Sequence, residues 1–114
     1  MTGRFSVDVS RAAEADLAAI VDYLTDARGA DDAAAFVTAM LDRVATLAQF
    51  PLRGAIPREL EEAGETDFRQ LLFGRFRLFY EVDGSKVTLV LVADGRRDIA
   101  ALLRDRLVRS PSLR

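Results

Sequence analysis

Residues 68–93 read F-R-Q-L-L-F-G-R-F-R-L-F-Y-E-V-D-G-S-K-V-T-L-V-L-V-A, and this run decides the fold. Gly74 and Asp83-Gly84 divide it into three β-rich pieces, and Asp-Gly between apolar runs is a strong hairpin signal. The pieces predict strands over 67–73, 75–82 and 86–93, joined as an antiparallel meander. The last piece is apolar almost without alternation, which predicts a central strand covered on both faces. In the middle strand Phe76, Leu78, Tyr80 and Val82 point one way, and Arg75, Arg77, Phe79 and Glu81 the other. The first set is expected to pack on helices. The second puts two guanidiniums, an aromatic ring and a carboxylate on the opposite face, which is a binding surface or one partly covered by a further helix. Arg69 lies on the neighbouring strand, in line with Leu71 and Phe73.

Upstream, F-S-V-D-V at 5–9 alternates and predicts a short strand. Ser10 is placed to cap a helix whose apolar face is Ala13, Leu17, Ile20, Val21 and Leu24, with Gly29 as its end. Asp31 or Asp32 is expected to cap the next helix, which carries Phe36, Val37, Met40, Leu41, Val44 and Leu47 and stops at Pro51. Residues 51–66 hold two prolines and two glycines among charges and predict a loop, with one helical turn at 58–63. Downstream, Asp94-Gly95-Arg96-Arg97-Asp98 turns the chain into a final helix over 98–108. Ile99, Leu102, Leu103, Arg106 and Leu107 share one side of it. Strand, two helices, meander and helix make a single α+β domain spanning 1–114.

Composition narrows the chemistry. The 114 residues contain no cysteine and no histidine, so thiolate chemistry and the usual neutral-pH base are absent. No metal or cofactor site is expected. No apolar run approaches the roughly 20 residues of a membrane span, and a cytoplasmic protein that does not engage membranes is expected. Net charge is −2, unevenly spread. Residues 1–50 hold four Arg against eight Asp/Glu, and residues 95–114 six Arg against two Asp. The C-terminal excess suits an acidic partner or a phosphate backbone. Arg77 and Arg97 could then converge on one anion. The structural alternative pairs Arg97 with Asp94 or Asp98, and Arg77 with Glu81.

The pattern Val7, Ser10, Ala13, Asp16-Leu17, Ile20, Tyr23-Leu24 resembles the opening of the RelE/ParE toxin family. So do Phe50-Pro51 with Gly54, F-R-Q-L at 68–71, F-R-L-F-Y-E-V at 76–82, D-G-R-R-D at 94–98 and Arg106-Leu107. The resemblance implies a toxin of a bacterial type II toxin–antitoxin module, bound and neutralised by a cognate antitoxin. RelE-like members cleave mRNA in the ribosomal A site without a metal, whereas ParE-like members poison DNA gyrase.

Metal-free RNA cleavage needs a proton acceptor, an acid and cations for the charge developing on phosphate. Arg77 and Arg97 match the family's arginine positions. The lysines expected on the preceding strand are replaced by F-R-Q-L, and Leu102 and Leu103 stand where a tyrosine would be sought. Arginine cannot act as a base. Glu81 and Glu59 are the carboxylate candidates; Tyr80 is expected in the core and Tyr23 packed in the first helix. A nuclease would therefore rest on Arg77, Arg97 and Glu81. The ParE-like reading is favoured, with Arg69, Arg77, Phe79 and Arg97 as binding residues. A ribosome-directed nuclease is the alternative, as is an attenuated toxin acting only through its antitoxin and their operon.

Overall fold

The computed structural model describes residues 4–62, 64 and 67–108. Arg109 and Arg114 of the basic C-terminal stretch lie outside them, as do residues 63, 65 and 66 of the predicted loop. Strand β1 (Ser6–Val9) leads into helices α1 (Arg11–Arg28) and α2 (Ala30–Ala45), then a 3-10 turn, Thr46–Ala48. The short helix α3 (Arg58–Glu61) precedes strands β2 (Phe68–Phe73), β3 (Phe76–Asp83) and β4 (Lys86–Asp94), and α4 (Ile99–Val108) closes the chain. The sheet order is β1-β4-β3-β2. β1 runs parallel to β4, and the other pairs are antiparallel. The central place expected for the 86–93 run is thus occupied.

The helix boundaries follow local chemistry. The Ser10 hydroxyl accepts from the Ala13 amide at 3.1 Å, satisfying a donor the first turn would otherwise leave open. The cap expected for α2 is different: neither Asp31 nor Asp32 caps it. Gly29, at φ 96°, stands alone between the two helices and serves as C-cap of one and N-cap of the other. An L side chain rarely adopts that φ. Asp31 and Asp32 fall in the first turn of α2, where they still complement the helix dipole. Asp98 does cap α4, accepting from the Ala101 amide at 3.1 Å.

Each face of the sheet has its own core. On one, Leu71, Phe76, Leu78, Tyr80, Val87 and Leu89 pack against α1 and α2. On the other, Phe68, Phe79, Val90, Leu91 and Ala93 pack against α3 and α4 through Leu60, Ile99 and Leu103. The second face is therefore not open. Strict alternation fails once: Phe79 pairs with Leu91 but Tyr80 with Leu89, leaving Val90 as a bulge. Val90 and Leu91 then both serve the α4 core, and this is why the run carries apolar residues at successive positions.

The second half of β4 extends beyond β1, which pairs only up to Leu89. Side chains close this edge. Asp16 of α1 accepts from the Val92 amide at 3.0 Å, and Arg106 of α4 donates to the Val90 carbonyl at 2.7 Å. The two side chains also meet through bonds of 2.8 and 2.9 Å. The ion pair ties the two helical layers together around the strand edge, and the Asp16 carboxylate pushes the Arg106 pKa upward.

Candidate partner-binding site

Of the four arginine and aromatic positions read as binding residues, three are engaged by the fold. Arg69 faces the α1–α2 side and donates to the Gly54 carbonyl at 2.8 Å and the Leu52 carbonyl at 3.3 Å. The Tyr80 hydroxyl donates to the Pro51 carbonyl at 2.7 Å and accepts from the Gly54 amide at 3.0 Å. Burial pushes the Tyr80 pKa up, so the phenol is a structural donor. Gly54 is required here: a Cβ would lie 2.4 Å from the Gln70 carbonyl oxygen and 2.7 Å from the Tyr80 hydroxyl.

Arg77 lies on the opposite face. Its Nε donates to Gln70 at 2.7 Å, and its two terminal nitrogens reach both oxygens of Glu59 at 3.0 Å each. The guanidinium also covers the Phe79 ring at 4.9 Å. This bidentate contact is the strong form of the pair, and it holds the Glu59 carboxyl below its ordinary range. The partner expected for Arg77 was Glu81. Instead it is Glu59, delivered by α3 from the loop. Phe79 is fully buried, so it is core and not contact surface. Glu81 is half-buried opposite Thr88 and is itself partnered.

Arg97 stands apart. Its amide bonds to the Asp94 carbonyl at 3.0 Å, but its exposed side chain has no ion partner among the described residues. Asp94 is instead held by Arg96, through bonds of 3.1 and 3.2 Å, and by Arg75 at 2.9 Å. The bonds from Arg96 lower the Asp94 pKa to about 2. Arg97 and Arg77 do not converge. Arg77 is turned beneath α3, whereas Arg97 lines a cleft of about 380 Å³ between α1 and the end of β4.

That cleft gathers residues the sequence did not place there. Arg75 lines it with Arg96 and Arg97, over a floor that includes Ala19, Ile20 and Val92. Arg75 was expected to share the face of Arg77, but β3 begins at Phe76, so alternation does not extend to it. Its guanidinium lies 5.6 Å from the Tyr23 ring centroid and 5.4 Å from that of Phe76. Tyr23 is not packed away within α1 but 56% exposed. The signal for this site was the Arg-rich turn at 94–98, whose partner across the cleft is the exposed side of α1.

This order of elements is the α+β fold of RelE/ParE-like toxins, and solved structures share it. A chain of the chromosomal ParDE TA system from P. aeruginosa matches with TM-score 0.68 and 23% identity, over 82% of this chain and 98% of that one. A chain of the toxin–antitoxin complex RelBE2 from Mycobacterium tuberculosis matches with TM-score 0.53 and 21% identity, over 82% and 94%. At these identities the likeness is one of fold. The family described as ParE toxin of type II toxin–antitoxin system, parDE, matches residues 7–99, and the chain belongs to it. No curated protein sequence matches. No helix among the described residues is long and apolar enough to cross a membrane.

Proposed function

We propose that the protein is the toxin of a two-protein module, that it acts by binding DNA gyrase, and that a cognate antitoxin neutralises it by complex formation. One observation carries the choice of gyrase over mRNA. Arg77, the arginine a nuclease would aim at the scissile phosphate, spends three of its donors on Glu59 and Gln70. Glu59 is thereby committed as a carboxylate partner and not poised as a base. Family membership points the same way, since ParE-like toxins are gyrase poisons. Action on gyrase places the protein in the cytoplasm.

The test runs two assays on purified protein. One follows DNA supercoiling by gyrase with trapping of cleaved DNA; the other follows mRNA cleavage on programmed ribosomes. Inhibition in the first alone is expected. Cleavage in the second alone would reverse the reading, and growth unaffected by expression would leave only the antitoxin-binding role.

A further inference from the structure

We propose that Arg75 and Arg97 form a seat for carboxylates of a protein partner, on the reading above the antitoxin, whose apolar side chains rest on Ala19, Ile20 and Val92. The inference rests on that reading for the partner's identity and on the cleft's own geometry for its chemistry. Arg75 is held ready for a ligand. Its Cζ lies over the Tyr23 and Phe76 rings, at 5.6 and 5.4 Å from their centroids, and its Nε is 2.9 Å from Asp94. The terminal nitrogens, the edge that receives a carboxylate fork, have no bond among the described residues. A guanidinium already fixed in place loses little further freedom on binding. Arg97 adds a second cation, and the other carboxylates nearby are engaged: Asp94 by Arg75 and Arg96, Asp16 by Arg106.

Charge and surface together favour an acidic protein segment over a nucleic acid. Beside the arginines the cleft is lined by two carboxylates, Asp16 and Asp94, and by the apolar Ala19, Ile20 and Val92. A phosphate backbone laid along the cleft would meet that like charge and an apolar surface it cannot use. A segment with one or two carboxylates and neighbouring aliphatic residues would place its charges only at the arginines. Ile20 and Val92 then receive its apolar part.

Arg97→Glu and Tyr23→Ala test the seat, because both side chains are exposed and neither bonds to the core. Three readouts are needed: antitoxin affinity, growth arrest without antitoxin, and amide shifts on titration with a synthetic peptide of alternating Glu and Leu. Expected are an antitoxin Kd raised at least tenfold in Arg97→Glu and peptide-induced shifts centred on Tyr23, Arg75 and Arg97. Unchanged antitoxin affinity in both variants would overturn the proposal. So would loss of growth arrest with affinity intact, which would give the cleft to the toxin's target. Shifts at the same residues with a single-stranded oligonucleotide but not with the peptide would also overturn it. A wild type that fails the gyrase assay refutes the gyrase reading alone, and the antitoxin and peptide readouts still decide the seat.

Discussion

Replacing Arg106 by Met should cost about 3 kcal/mol of folding stability, and the number can be built from the structure. Arg106 makes two bonds to the Asp16 carboxylate and one to the Val90 carbonyl, all at 2.7–2.9 Å. The side chains are 15% and 17% exposed, so the pair is shielded without being fully dry. Removing one partner of a fully buried pair costs about 3–5 kcal/mol, because the other charge is stranded. Partial exposure lets water reach Asp16, and Val92 still donates to it, which places the loss at the lower end. Against a total of about 6–17 kcal/mol for a chain of this length, that is a large fraction. It corresponds to a fall in Tm of about 12 °C. The assay is urea unfolding of the wild type, Arg106→Met, Asp16→Asn and the double variant. Because the two side chains share one network, the double should cost less than the sum of the singles by about 1.5 kcal/mol or more. A cost below about 0.5 kcal/mol for Arg106→Met, typical of a surface pair, would refute the reasoning. So would strict additivity.

Tyr80→Phe leaves the Pro51 carbonyl and the Gly54 amide without their partner, and should destabilise by about 1–3 kcal/mol in the same unfolding assay. Gly54→Ala sets a Cβ against the Gln70 carbonyl oxygen and should be the worse of the two, displacing residues 51–55 in an amide shift comparison. On acidification, Glu59 and Asp94 both have folded pKa values lowered below their ordinary 4.5 and 3.8, the latter to about 2. Their pairs therefore stabilise fully above those ordinary values and are lost as pH falls toward the folded ones. Unfolding followed from pH 5 to about 2 should show this decline, and Glu59→Gln/Asp94→Asn should flatten it. Disrupting Lys86–Asp8, more than half exposed on both sides, should change stability by less than about 0.5 kcal/mol.

The strands, the first helix cap and the two-faced burial of the central strand were legible because each depends on neighbours within a few residues. Apolar alternation assigned Phe76, Leu78 and Tyr80 to one core and Phe79 to the other face. The consequences for the site were less legible. Whether Phe79 was contact surface or core depended on where α4 lay, and α4 covers it. Glu59 meets Arg77 from a loop 18 residues away, and Asp16 meets Arg106 across 90 residues. No local pattern encodes such pairings. A charged residue interrupting an apolar helix face was the available hint: Asp16 sits between Ala13 and Leu17, and Arg106 between Leu103 and Leu107.

The positions that carry the family resemblance divide the same way. Ser10 caps α1, Ala13 is fully buried, Asp16 and Arg106 close the β4 edge, and Gly54 admits the Tyr80 hydroxyl. The fold explains each of these without any partner. Among the remaining positions, Tyr23 and Arg97 are exposed and line the same cleft, and neither side chain has a hydrogen bond or ion pair among the described residues. An exposed aromatic ring and an unpaired cation give a monomer no stability to speak of, whereas at an interface a ring and a guanidinium are the groups that most often dominate affinity. Arg69, Arg77 and Arg106 hold carbonyls and carboxylates of the chain itself, and Arg75 holds Asp94 through its Nε. Arg97, with no ion partner among the described residues, is the cation on which the proposed seat depends most.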